Sequence, residues 1–142
     1  MLLDKAKKIL ESGDYTCVLT NDSYLYTSNL RGVKPLVQLL ETKTSPTGLF
    51  AADKVVGKAT AYLYVLLKIQ ALYTKVISEP ALTVLQAHNI VVQYDTLVAN
   101  IINRKGDGIC PFEEAVMGTH EPNEAYVAIR KKMESLNIRL TP

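Results

Sequence analysis

Leu2, Leu3, Ala6, Ile9 and Leu10 fall on one face of a helix with lysines opposite, and Gly13 stands where a C-cap glycine belongs. A short amphipathic helix is predicted there. "YTCVLTNDSYLYTSN" gives two β-prone runs around Asn21 and Asp22, residues that tolerate positive φ, which predicts strands near 15–20 and 23–28 joined as a hairpin. "GVKPLVQLLETK" reads as a helix with Pro35 in its first turn, and "TSPTG" as a loop. From Asp53 onward Val55, Val56, Ala59, Tyr62, Leu63, Leu66 and Leu67 recur at helical spacing, while Ala61, Tyr64 and Val65 make the other side apolar too. A central, buried helix opening at Asp53 is the expectation.

Farther along, "LYTKVIS" reads as a strand, "EPALTVLQAHN" as a helix with Pro80 near its start, and "IVVQYD" as a strand of little alternation, the pattern of strands buried on both faces. "DTLVANIINRKG" fits a helix from an Asp95 cap to a Gly106 stop. "CPFEEAVMG" predicts a short helix with Pro111 at its first position, "EPNEAYVAIRKKMESL" a longer one, and "NIRLTP" a closing strand. A hairpin followed by alternating strands and helices predicts an α/β fold, a mixed sheet with helices on both faces. Ligands of such sheets bind beyond the carboxyl ends of the strands. Asp53/Lys54, Ser78/Glu79 and Cys110/Pro111, each expected to open a helix, are therefore expected to share one rim.

Composition narrows the function classes. With 142 residues, 48% hydrophobic and 21% charged, and no Pro/Gly/Ser-rich linker, the chain reads as one globular domain over 1–142. Its 16 basic and 14 acidic residues are interspersed and Trp is absent, which disfavours a nucleic-acid polymer as partner. The longest apolar run, Ala59 to Leu67, is about half a bilayer span, so no membrane association is expected. Charges interrupt "MLLDKAKKILESGD" where a signal peptide needs an apolar core, and two cysteines suit reduced thiols, so a cytoplasmic location is expected.

Three places carry candidate chemistry. Asp53 suits a helix N-cap, but Lys54 in a first turn would oppose the helix dipole at about 0.3–1 kcal/mol. With Lys58 one turn on and Gly57 exposing backbone, an anion site is the reading, with plain solvation as its rival. Cys110 before Pro111 stands at a helix head, which lowers a thiol pKa, although Glu113 and Glu114 act in the opposite sense and burial is an equal alternative. Glu113 at the third helical position also suits a capping arrangement. Arg104 in "NRKGDGIC" offers a phosphate fork in a Gly-rich turn, without the Walker or dinucleotide pattern. His88 and His120 lack neighbours at metal-ligand spacing, so local motifs call for neither metal nor cofactor.

"GLFAADKVVGKA", "ISEPA" after a strand, and "INRKGDGICPFEEAV" together resemble a bacterial domain-of-unknown-function family, number 1893, placed in the cytidine-deaminase-like superfamily. The resemblance runs from the first hairpin to "EPNEAYVAI" and implies a three-layer α/β/α sandwich with a mixed sheet. Zinc deaminases carry a His or Cys followed by a catalytic Glu at one helix head and P-C-x-x-C at the next. Those places here hold Ala52-Asp53-Lys54 and Ser78-Glu79-Pro80-Ala81, without the zinc ligands.

Two readings stay open at this point. One is an enzyme with a zinc-free pocket acting on a small polar, nucleotide-like molecule, with Cys110 as nucleophile, Lys54 as electrostatic stabiliser, Asp53 or Glu79 as orienting partner, and Lys58, Ser78, Arg104 and Glu113 binding the ligand. The alternative is a non-catalytic regulatory domain that binds a small anion or nucleotide. A residual metal site on Cys110, Asp53 and Glu79, and self-association into a homo-oligomer through Tyr24, Tyr26 or Tyr73, are further alternatives.

Overall fold

The computed structural model describes residues 2–30, 32–42, 46–103 and 105–140. Helix α1 (Leu2–Ser12) leads into the hairpin of β1 (Cys17–Thr20) and β2 (Leu25–Ser28), followed by α2 (Lys34–Glu41). Then come β3 (Phe50–Val56), α3 (Lys58–Leu66), β4 (Ala71–Ser78), α4 (Glu79–Ala87), β5 (Val91–Val98), α5 (Pro111–Ala115) and α6 (Pro122–Ser135). The five strands form one mixed sheet in the order β2-β1-β3-β4-β5. β1 runs antiparallel to β2 and β3, whereas β3, β4 and β5 are parallel, as two successive strand-helix-strand units require.

The two faces are covered unequally. On one, α1 lays Leu3, Ala6 and Leu10 against Val18, Ala52, Ala71 and Tyr73. On the other, α2, α3, α4 and α6 bury Leu36, Leu63, Leu85 and Ile129 with Leu19, Ala51 and Leu72 of the sheet. Each such side chain contributes about 1.5–3 kcal/mol by leaving water. Adjacent residues of one strand thus serve opposite layers.

Several expectations need correction. The stretch from Phe50 is not one helix. It is a strand through Val56, a break at Gly57 and a helix from Lys58. Phe50–Val56 lies between two covered faces, so it is apolar almost throughout, and period alone does not separate a doubly buried strand from a helix. Nor does a helix start at Asp95. β5 runs to Val98, and Asp95 accepts a 2.6 Å hydrogen bond from Tyr73 on the neighbouring strand. Between β5 and α5 the described residues are irregular apart from an Ile102–Ile109 bridge. β5 is also an exposed edge strand rather than one buried on both faces. "NIRLTP" forms no strand as far as Leu140, and its last two residues lie outside the described ones. Tyr73 is 1% exposed beneath α1 and offers no free edge.

Candidate functional site

The site begins with one rung of the sheet. Cys17 pairs with Ser28 on β2 and with Asp53 on β3, Asp53 pairs with Thr74 on β4, and Thr74 pairs with Tyr94 on β5. Paired residues share a face. A line of heteroatom-bearing side chains therefore crosses the face covered by α3, and four of the five are buried. Tyr64, from the middle of α3, drops its hydroxyl onto this rung. It donates to Asp53 Oδ2 at 2.6 Å, and Cys17 Sγ lies 3.3 Å from the Tyr64 hydroxyl oxygen. Asp53 Oδ1 accepts from the Val55 amide at 3.3 Å.

Burial sets the electrostatics. Asp53 is 8% exposed and has no ion-pair partner among the described residues. Loss of water pushes its pKa up to about 7, and the hydrogen bonds from Tyr64 and the Val55 and Lys54 amides restrain that rise. Desolvation, followed by the nearby Asp53 charge, holds the Cys17 thiol well above its ordinary range, and the Tyr64 hydroxyl is raised by the same causes. A carboxyl poised near neutrality beside two neutral donors can take up or release a proton at ordinary pH.

This rung opens into a cavity of about 1100 Å³, lined by Cys17, Asp53, Lys54, Gly57, Cys110 and Glu113 among others. Its far wall comes from the N-terminal end of α2 and from the irregular segment after β5. Cys110 caps α5, half-buried, and its thiol has no hydrogen-bond partner among the described side chains. Glu113 reaches across to the head of α3 and accepts from the Lys58 amide at 2.7 Å and the Ala59 amide at 3.0 Å. Gly57 makes room for it, because a Cβ there would lie 2.5 Å from the carboxyl carbon. The anion expected at this helix head is therefore the protein's own, and Glu113 caps α3 rather than its own helix.

Of the residues singled out from the sequence, Asp53, Lys54, Cys110 and Glu113 meet at the cavity, but Asp53 and Lys54 do so from a strand. Lys58 is not on the cavity wall. Its ammonium lies 3.4 Å from the Met117 carbonyl and 5.8 Å from the Tyr62 ring centre. Ser78 is spent within its own helix, accepting from the Ala81 amide at 3.2 Å, and Glu79 is exposed; neither lines the cavity. The single rim of three helix heads is thus reduced to the β3 end and the α5 head. Arg104 lies outside the described residues. Sequence reading missed Cys17 and Tyr64, whose partnership depends on strand register; the one signal was an Asp inside the apolar "FAADKVV".

A family model described as "Domain of unknown function (DUF1893)" matches residues 5–133. The chain belongs to the DUF1893 family. It is also similar to the crystal structure of a DUF1893 family protein from Thermotoga maritima, with 30% identity and a TM-score of 0.82 over 94% of this chain and 89% of that one. No curated protein matches the chain. Among the described residues no helix is long and apolar enough to cross a membrane.

Proposed function

We propose that the cavity receives a small polar, nucleotide-like molecule and that Asp53 exchanges a proton with it. The observation that carries this is a buried carboxyl on the cavity wall, held by Tyr64 and titrating near neutrality without a cationic partner among the described residues. In this reading Tyr64, itself in contact with Cys17, fixes the carboxyl's orientation, and the lysines that line the cavity stabilise negative charge that develops on the ligand. Cys110 faces the same space as a secondary nucleophile. It has no hydrogen-bonded base among the described residues, so the reaction is assigned to Asp53 first.

The cytidine-deaminase-like placement is part of this proposal, supported by the mixed sheet with its parallel strand-helix-strand units. That placement would imply zinc, and the residues present do not fit one. Ser78 is consumed in capping, Glu79 is exposed away from the cavity, and no three His, Cys, Asp or Glu side chains cluster to hold a metal among the described residues. No step is therefore routed through a metal.

The second reading, a non-catalytic domain binding a small anion or nucleotide, is favoured by a Cys110 thiol that has no hydrogen-bonded base among the described residues. One experiment addresses both. Small polar heterocycles, with and without phosphate, are screened by thermal shift against the wild type and Asp53→Asn, and hits are followed by NMR for conversion. Compounds that stabilise only the wild type and are converted support the enzyme. The same compounds left unchanged support the binding domain. Equal stabilisation of both proteins would move the site away from Asp53.

A further inference from the structure

The charges on the cavity wall are not used symmetrically. Three carboxylates line it, and the protein already engages each one. Asp53 accepts from Tyr64, Glu113 from the two α3 amides, and Asp107 from Asn103 Nδ2 at 2.9 Å. Three lysines line it as well, Lys34, Lys54 and Lys105, and none is in an ion pair among the described residues. The carboxylates' acceptor sites are thus occupied by neutral donors, and while Asp53 holds its proton the wall has three lysines against two charged carboxylates, an imbalance that a cavity with lower-dielectric walls focuses on whatever enters.

The mouth adds a second, independent feature. Leu30, Val55 and Ile102 line the cavity yet remain 43%, 45% and 54% exposed. These exposed apolar side chains come from three separate segments and border one opening, the arrangement expected where an apolar body completes the surface.

We propose that the cavity selects an organic anion, a phosphate monoester or carboxylate on a flat apolar ring, with the anionic group between Lys34 and Lys105 and the ring against Leu30, Val55 and Ile102. This rests on the reading of the cavity as a ligand site, and it adds the sign of the ligand's charge and the nature of its body. Lys34 is the key cation, because it lines the cavity from the first position of α2, where its backbone is fixed.

The test uses probes that share one ring and differ in charge: phenyl phosphate, benzoate, benzyl alcohol and benzylamine. Binding to the full chain is followed by NMR at the methyl groups of Ile101 and Ile102, both on the cavity wall. The proposal expects phenyl phosphate and benzoate to bind at least tenfold more tightly than benzylamine. It also expects that preference to weaken with added salt and to fall at least fivefold in Lys34→Gln and further in Lys34→Gln/Lys105→Gln. The variants' unchanged methyl spectra without probe would show that they fold. Benzylamine binding as well as or better than phenyl phosphate would overturn the anion assignment and leave the pocket reading standing. Binding of none of the four, or shifts at methyl groups remote from the cavity, would overturn both.

Discussion

The two faces of the sheet make contrasting use of neighbouring residues. Val18 and Ala52 point toward α1 into a layer of leucine, alanine and valine, where Tyr73 is the one polar-tipped side chain among the buried members and sends its hydroxyl out to Asp95. Cys17 and Asp53, each one residue away, point toward α3 and meet Tyr64 at the cavity. Strand alternation thus divides the work, with one face packing and the other keeping a costly polar group at a site where that cost can serve chemistry.

Asp53 gives the largest expected effect. Below about pH 4 it is protonated in both folded and unfolded chains, but between about pH 4 and 7 only the folded protein keeps the proton. Stability therefore falls as pH rises through that window, by a total on the order of 4 kcal/mol at about 1.4 kcal/mol per pH unit. Asp53→Asn should gain on the wild type by that order between pH 4 and pH 8 in urea unfolding. Parallel curves would break the contrast between the faces. On the α1 side, Leu10→Ala should cost about 3 kcal/mol at every pH and leave probe binding at the cavity unchanged.

Gly57→Ala should cost about 1–3 kcal/mol by pushing the Glu113 carboxyl off the α3 amides. Most of that cost should vanish in a Glu113→Ala background, and equal costs in both backgrounds would argue against the crossing contact. The smallest effect belongs to Tyr64→Phe. It should cost about 1–2 kcal/mol and raise the Asp53 midpoint further, since the lost hydrogen bond favours the charged carboxylate.

The elements with a single exposed side were legible in the sequence. The amphipathic α1, the hairpin, the Pro-headed α4, α5 and α6, and the αβ alternation all follow from period and capping residues. "FAADKVVGKATAYLYVLL" was misread because both its halves are buried on nearly all sides, leaving neither strand nor helix a polar face to betray its period. The end of β5 was hidden for another reason: Asp95 suits a helix cap by residue type, and its partner Tyr73 lies on the neighbouring strand. Asp53, Lys54, Cys110 and Glu113 were recognisable as unusual residues in their stretches. Their partners were not, because Cys17 reaches Asp53 by antiparallel register and Glu113 reaches Gly57 across 56 positions of chain, contacts that no local pattern encodes.

The account depends most on the state of one carboxyl, and carbon-detected NMR of the Asp53 side chain against pH measures it directly. A single midpoint near 7, rising in Tyr64→Phe and unmoved in Leu10→Ala, is the predicted result. A midpoint near 4, where an aspartate in water titrates, would mean that Asp53 is hydrated and already ionised, and would contradict its role as the proton-exchanging group of the cavity.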